Sequence, residues 1–118
     1  MKNKPTSIMD LKKPLQALLM AEELVDETAD GSKYITIREG WRHYVPGKVV
    51  ICCPEIAWCM MKMITEVIHT TPRDCEEQYY RGEEWVDREE MVYDLQRFYP
   101  DLTMDSPITV IKFEDLRI

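Results

Sequence analysis

The stretch that most constrains the fold covers residues 31–38, which read Gly-Ser-Lys-Tyr-Ile-Thr-Ile-Arg. A turn at its start is followed by β-branched and aromatic residues, and this pattern predicts a strand over residues 34–38. The same stretch carries two cations, Lys33 and Arg38, and the hydroxyl group of Thr36. Because an unpaired buried charge is costly, such a strand is either an exposed edge or the wall of a polar pocket, and we expect the pocket.

The length and composition are those of one globular domain. With 118 residues, of which 45% are hydrophobic and 31% charged, the chain can bury a single core. We expect a flexible leader over residues 1–10 and one domain over residues 11–118. No apolar run approaches the roughly 18 residues of a membrane helix, and no apolar signal-peptide region follows the N-terminal lysines. The sequence therefore predicts a cytoplasmic protein without a membrane partner.

The net charge of −7 is unevenly distributed along the chain. Residues 1–72 hold nine basic and nine acidic side chains, whereas residues 73–118 hold six basic and thirteen acidic ones. An acidic surface repels a phosphate backbone, and tight binding of a nucleic-acid polymer depends on neutralising several phosphates. The charge argues against a general nucleic-acid binder. It leaves open a small nucleoside, a peptide or a local basic patch for RNA.

Four cysteines, at positions 52, 53, 59 and 75, raise the question of a disulfide or zinc framework. Cys52 and Cys53 are adjacent, so in a strand their side chains point to opposite faces, which is poor geometry for one tetrahedral metal. The chain contains no Cys-x-x-Cys motif. We predict reduced, buried thiols that act as small hydrophobic residues, no metal and no cofactor.

Local patterns predict further strands on either side of an ambiguous segment. The apolar run over residues 48–53 reads as a buried strand that Pro54 ends, and residues 108–113 read as a closing strand. Residues 39–46 between the first two strands read as a loop. Residues 55–69 fit both a helical stripe and an alternating strand, and the pattern alone slightly favours the helix.

Three helices are predicted from periodicity and capping residues. The first is amphipathic and covers about residues 10–25, and the second covers about residues 72–80 and stops at Gly82. The third covers about residues 88–98, and Asp87 with the glutamate three residues later resembles a capping box at its start. Helices inserted between strands indicate an α+β domain.

The order of these elements resembles the ASCH domain, whose fold is a small β-barrel related to the PUA fold. The resemblance spans about residues 11–116 and implies an α+β, PUA-like β-barrel with flanking helices, in which residues 57–67 form a strand. Within the family the chain is most similar to the small bacterial N4-acetylcytidine amidohydrolases, which hydrolyse the acetamide of that nucleoside. The matching parts are residues 31–38, 46–50, 98–100 and 107–113.

The resemblance implies a set of site residues. The lysine and threonine of the family's G-x-K-x-I-T-I-R element fall on Lys33 and Thr36, and its catalytic glutamate, sixteen residues before the proline of the Tyr-Pro pair, falls on Glu84. Substrate-binding roles are expected for Arg38, Tyr34 and Trp85. The chain departs from the family at Tyr34, where a small polar residue is usual, and at Gly47-Lys48, where Gly-Asp is usual.

Hydrolysis of an amide needs a nucleophile, a base that activates it and a proton for the leaving nitrogen. Thr36 could be the nucleophile if Lys33, made uncharged by burial or a nearby cation, accepted its proton. Alternatively, Lys33 and Glu84 could activate a water molecule directly. Positions 33 and 36 point to opposite faces of an ideal strand, so they converge only if Lys33 precedes the pleated strand or a bulge intervenes.

Three functions remain open on the sequence alone. The first is an amidohydrolase that acts on N4-acetylcytidine-type nucleosides through Lys33, Thr36 and Glu84. The second is an RNA-binding, or nucleolytic, ASCH/PUA-like module. The third is an acidic protein-interaction factor that uses the helices over residues 74–94. The sequence does not define the oligomeric state.

Overall fold

A computed structural model describes residues 16–116 of the chain. Over this range, two short 3₁₀ turns, Glu22–Leu24 and Pro54–Ile56, accompany the strands and helices. The strands are β1 (Gln16–Leu19), β2 (Ile35–Glu39), β3 (Gly47–Cys53), β4 (Trp58–Thr70) and β5 (Ile108–Asp115). The helices are α1 (Val25–Asp30), α2 (Glu77–Gly82) and α3 (Arg88–Leu95).

The five strands form one curled sheet in the order β1-β3-β4-β5-β2. β1 runs parallel to β3, and the other neighbouring strands are antiparallel. The sheet therefore has β1 at one edge and β2 at the other. The side chain of Arg38 on β2 reaches the opposite edge, where its Nη2 donates to the Leu19 carbonyl oxygen at 2.7 Å. This bond closes the half-barrel where no strand pairing does.

Two hydrophobic clusters occupy the two faces of the sheet. On one face, Ile35 and Ile37 of β2 pack with side chains of α2 and α3 such as Tyr79 and Met91. On the other face, a cluster centred on β1 and β3 includes Ile111, the cross-strand partner of Thr36. Because strand side chains alternate, the face of β2 that carries Thr36 and Arg38 is the one turned away from the two helices.

The ambiguous segment is a strand, as the resemblance implied and against the helical stripe. β4 pairs with β3 over its first half and with β5 over its second, with a register shift between Ile64 and Glu66. A shift of this kind bends a strand and increases its twist, which lets one long strand serve two neighbours in a curled sheet. Pairing on both sides outweighs the helical periodicity of the sequence.

The predicted helix over residues 10–25 is wrong where the structure describes it. Residues 16–19 form β1, in which Leu18 is buried and Leu19 is exposed, so the alternation of a strand replaces the helical stripe. Parallel pairing with β3 stabilises this conformation. Residues 10–15 and the predicted leader over residues 1–10 lie outside the described residues.

The other predicted elements are found, with shifted ends. The strands predicted over residues 34–38, 48–53 and 108–113 correspond to β2, β3 and β5. α2 begins at Glu77, later than predicted, because residues 72–74 form a turn. The cap of α3 is confirmed, since Asp87 Oδ1 accepts the Glu90 amide at 2.8 Å, and the Glu90 carboxylate in turn accepts the Val86 amide.

The cysteine prediction is wrong for one pair. Cys52 on β3 and Cys59 on β4 are direct cross-strand partners and form a disulfide, which the prediction of four reduced thiols did not include. Cys53 and Cys75 are free and buried, as predicted. Burial raises the pKa of the Cys75 thiol to about 11, so this side chain remains a protonated, apolar core residue at neutral pH.

Lys62 on β4 is a buried charge whose counter-ion is exposed. Its side chain is 1% exposed and pairs with Asp115, whose side chain is 65% exposed. Asp115→Ala should lower the free energy of unfolding by about 1–3 kcal/mol, because the buried ammonium loses its partner. Lys62→Met, which removes the charge and keeps an apolar stem, should be close to neutral. Urea denaturation of both variants measures the difference, and equal effects would contradict this account.

Candidate functional site

A cavity of about 260 Å³ lies between β2, the end of β1 and the turns that follow α2 and α3. Its walls combine the cations of the 31–38 stretch with carboxylates and rings from the helical side of the molecule. The charged, hydroxyl and aromatic side chains that line it include Lys33, Thr36, Arg38, Glu83, Trp85 and Asp94.

Lys33 lies in the turn before β2, so it is not bound by the alternation of the strand. α1 ends at Gly31, whose φ of 88° suits glycine, and the Lys33 amide then donates to the Glu27 carbonyl oxygen at 2.9 Å. Pleating begins only at Ile35. Lys33 and Thr36 therefore line the same cavity despite their odd spacing, because Lys33 precedes the pleated strand and no bulge between them is needed.

The Lys33 ammonium group is buried in a defined polar environment. The residue is 8% exposed, and its Nζ donates to Glu83 Oε1 at 2.6 Å and to the Ile35 carbonyl oxygen at 2.7 Å. The Glu83 side chain is 15% exposed. A buried lysine with a carboxylate partner in a cavity is the kind of group that marks functional sites.

The carboxylate beside Lys33 belongs to Glu83, whereas the sequence had assigned this place to Glu84. The turn after α2 determines which glutamate points inward. The Trp85 amide donates to the Tyr80 carbonyl oxygen, and the Glu84 amide donates to the Arg81 carbonyl oxygen, which is the hydrogen-bond pattern of a Schellman motif. Glu84 occupies its left-handed position with a φ of 68°, and the residue is exposed at the rim of the cavity.

The electrostatics of the pair follow from its burial. Loss of solvent raises the pKa of Glu83 above its ordinary value, and the positive charges of Lys33 and Arg38 oppose that rise. Burial also lowers the pKa of Arg38, but a guanidinium remains charged at neutral pH. The Glu83 carboxylate thus lies near two cations, yet burial makes it bind protons more readily than a solvated glutamate.

The Thr36 hydroxyl is positioned by Arg38 and not by Lys33. Arg38 Nε donates to Thr36 Oγ1 at 3.2 Å, while its Nη2 is bound to the carbonyl oxygen of Leu19. The Thr36 oxygen is therefore an acceptor towards Arg38, and its own proton is available to a ligand in the cavity.

Of the two remaining predicted substrate-binding residues, one lines the cavity and the other does not. Trp85 is buried and lines the cavity, with its Nε1 donating to Asp94 Oδ2 at 3.1 Å. Tyr34 does not line it; it lies against Gly82, where a Cβ atom would come within 3.0 Å of the Tyr34 hydroxyl. Sequence reasoning assigned no role at the site to four residues that line this wall, namely Asp94, Arg97, Phe98 and Tyr99. Phe98 and Tyr99 belong to one of the stretches that carry the resemblance.

Metal-binding clusters and membrane-spanning helices are both absent from the described part of the chain. Residues 16–116 contain no group of three or more histidine, cysteine, aspartate or glutamate side chains that could hold a metal ion. No helix among the same residues is long and apolar enough to cross a membrane.

Comparison with solved structures identifies the fold. Protein EF3133 from Enterococcus faecalis V583, of the DUF984 family, superimposes with a TM-score of 0.64 at 12% identity, over 96% of this chain and 84% of that chain. The ASCH domain from Lactobacillus crispatus JV V101 superimposes with a TM-score of 0.58 at 9% identity, over 97% of this chain and 85% of that chain. The chain has the α+β fold of an ASCH/PUA-like domain, as predicted.

Comparisons at the level of sequence add nothing to this assignment. No family model matches the chain. No curated protein matches it either.

The left-handed conformation of Glu84 gives a prediction about stability. Glu84→Gly should raise the free energy of unfolding by about 0.5–1 kcal/mol, since glycine adopts a positive φ without the steric cost of a Cβ atom. Glu83→Gly is the matched control: its φ of −94° gives no such gain, and the substitution removes the partner of Lys33. Chemical denaturation distinguishes the two. A loss of stability in Glu84→Gly would contradict the assigned turn.

Proposed function

We propose that the chain is an amidohydrolase that removes the acyl group from N4-acetylcytidine-type nucleosides. The observation that carries the proposal is the buried pair of Lys33 and Glu83, 2.6 Å apart, beside a hydroxyl that an arginine positions. The cavity of about 260 Å³ suits a small ligand, since pockets for drug-sized molecules begin at roughly 300 Å³. The resemblance of the 31–38 stretch to the N4-acetylcytidine amidohydrolases supplies the substrate class.

In the proposed reaction a water molecule attacks the acetamide carbonyl directly. Glu83 accepts a proton from the water, and the water oxygen bonds to the carbonyl carbon to give a tetrahedral oxyanion. The Thr36 hydroxyl, backed by the Arg38 charge, donates a hydrogen bond to that oxyanion. Lys33 gives a proton to the leaving N4 nitrogen as the C–N bond breaks and recovers one from Glu83. The products are cytidine and acetic acid, which releases its proton to solvent as acetate.

Attack by water is preferred to covalent attack by Thr36 because of what contacts the hydroxyl. A threonine nucleophile needs a neighbour that accepts its proton. The group bonded to Thr36 Oγ1 is the Arg38 guanidinium, which is a donor and has no acceptor site. Lys33 directs its hydrogen bonds to Glu83 and to the Ile35 carbonyl oxygen. A role as oxyanion donor therefore fits Thr36 better.

A second candidate function, an RNA-binding module, has one observation in its favour. Trp41 is 60% exposed, stacks on His69 with ring centroids 5.9 Å apart, and donates its Nε1 to the Thr70 carbonyl oxygen. An exposed, immobilised indole can stack on an unpaired base. This function would show as RNA binding that weakens steeply with added salt and depends on Trp41, without hydrolysis of the nucleoside.

Substitutions in the site test the hydrolase. Lys33→Ala and Glu83→Gln should each lower kcat/KM for N4-acetylcytidine by about 10²–10⁴, because they remove the proton transfers. Thr36→Val should cost about 10²–10³ as the oxyanion loses a donor, and Thr36→Ser should retain activity. Chromatographic release of cytidine measures each rate.

Glu84→Gln serves as the neighbouring control and should remain near the activity of the unsubstituted protein. Loss of activity in Glu84→Gln but not in Glu83→Gln would reverse the assignment of the base. A folded protein that leaves N4-acetylcytidine intact would refute the proposed substrate.

The pKa of Glu83 gives a prediction about pH. Glu83 acts as a base only when deprotonated, so kcat/KM should fall as the pH is lowered through its pKa. Because burial raises that pKa above the ordinary value of 4.5, the midpoint of the acidic limb should lie above pH 4.5. The pH dependence of kcat/KM measures it. The residual activity of Glu83→Gln should lack this limb, and a limb unchanged in that variant would assign it to another group.

A further inference from the structure

Trp85 has a fixed backbone and a ring shared between the core and the cavity. Its amide donates to the Tyr80 carbonyl oxygen at 3.0 Å, which places it two residues after Glu83 in the same turn. The indole belongs to the cluster that packs α2 and α3 against the sheet, beside Met91 and Leu95, and it also lines the cavity. The residue is 9% exposed, and the cavity is where a ligand could reach it.

Asp94 on α3 fixes the orientation of that ring. An indole has a single donor, and Trp85 Nε1 uses it on Asp94 Oδ2 at 3.1 Å. The other carboxylate oxygen of Asp94 forms an ion pair with Arg97, whose Nε lies 3.1 Å away. Arg97 in turn lies 3.5 Å from Glu23 Oε1, in the 3₁₀ turn that precedes α1. Asp94 thus contacts Trp85 through one carboxylate oxygen and Arg97 through the other. A rotation of the indole would break the hydrogen bond of its single N–H donor.

We infer that Asp94 is a positioning residue, which holds the Trp85 indole as a stacking wall for the planar ring of the ligand. The identification of that ring as a cytosine rests on the proposed function. The wall itself does not, because any planar heterocycle that enters the cavity meets the same indole. The reactive acetamide then lies towards Lys33, and towards Glu83, which is in the same turn as Trp85.

An ordinary structural role for Asp94 makes a different prediction. The contact with Arg97 is a partly exposed ion pair three residues apart on a helix, and such pairs contribute little to stability. If that were its whole role, the loss of charge would matter and the loss of the acceptor for Trp85 would not. Asp94→Asn keeps an acceptor oxygen and removes the charge, whereas Asp94→Ala removes both.

Kinetics of N4-acetylcytidine hydrolysis compare these two variants in proteins whose thermal unfolding shows them to be folded. Stacking of a base on an aromatic ring corresponds to roughly 5- to 150-fold in binding, so Asp94→Ala should raise KM within that range and leave kcat nearly unchanged. Asp94→Asn should raise KM much less. Equal effects of the two variants on KM, or a loss in kcat alone, would overturn the inference.

A double-mutant cycle isolates the hydrogen bond. Trp85→Phe keeps a ring in the wall but has no donor for Asp94. In the Trp85→Phe background, Asp94→Ala should therefore produce no further increase in KM. An increase as large as that seen with Trp85 present would show that Asp94 acts through another contact, and it would refute the positioning role.

A binding measurement separates this inference from the proposed reaction. In a Trp41→Phe, Trp58→Phe protein, Trp85 is the sole remaining tryptophan, and its fluorescence reports on the wall. Cytidine should quench this fluorescence and ribose should not. The dissociation constant for cytidine obtained from the quenching should rise in Asp94→Ala by the same factor as KM rises. Quenching by cytidine without hydrolysis of N4-acetylcytidine would refute the proposed reaction and support the role of Trp85 as a stacking wall. Absence of quenching by cytidine and by a purine nucleoside would refute the wall.

Discussion

The guanidinium of Arg38 joins the two edges of the sheet, and both the barrel and the cavity depend on that contact. β1 and β2 lie at opposite ends of the strand order, so no ladder of backbone hydrogen bonds connects them. Arg38 replaces the ladder with one bond to the Leu19 carbonyl oxygen and uses a second nitrogen on the Thr36 hydroxyl. A planar fork with several donors makes both contacts at fixed geometry, and a lysine at this position could not. Closure of the fold and orientation of a candidate functional group thus depend on one side chain.

The buried ion pair of the cavity contributes little to the stability of the fold. A buried ion pair loses solvation that its mutual attraction barely restores, so apolar residues of similar volume would stabilise the fold at least as well. Lys33 and Glu83 are nevertheless buried together, with burial raising the pKa of the carboxyl group. Lys62 differs, because its partner Asp115 is exposed and the pair lies outside the wall that carries Thr36. Under the proposed function Lys33 is the buried lysine that transfers protons, whereas the charge of Lys62 is compensated by an exposed aspartate.

Much of the sheet could be predicted from local pattern, because β2, β3 and β5 carry β-branched runs bounded by turn residues. β4 could not, since its apolar residues satisfy both periods, and only the resemblance to a known fold selected the strand. The prediction for the N-terminal segment was wrong for a related reason. β1 has only four residues and depends on a parallel neighbour, so its alternation in the sequence is too short to outweigh a helical stripe. The disulfide was missed because the opposition of Cys52 and Cys59 requires the register of two strands.

Sequence reasoning placed several residues at the cavity, but it put Glu84 where Glu83 lies, and it included Tyr34, which does not line the cavity. Lys33, Thr36 and Arg38 lie on one local element, so their relation could be read directly. The choice between Glu83 and Glu84 depends on the end of α2, and Gly82 is a misleading marker there. It is needed for its lack of a side chain beside Tyr34 and Ile35, while the left-handed conformation falls on Glu84.

The turn between Tyr80 and Trp85 also affects how the gene for such a protein can change. Its hydrogen bonds require a fixed number of residues between donor and acceptor. Insertion or deletion of one residue there would therefore turn Glu83 away from Lys33 and bring a different side chain inward. Substitutions at position 84 leave that count intact. Homologous chains should therefore keep the length of this loop and vary at position 84 among residues that tolerate a positive φ.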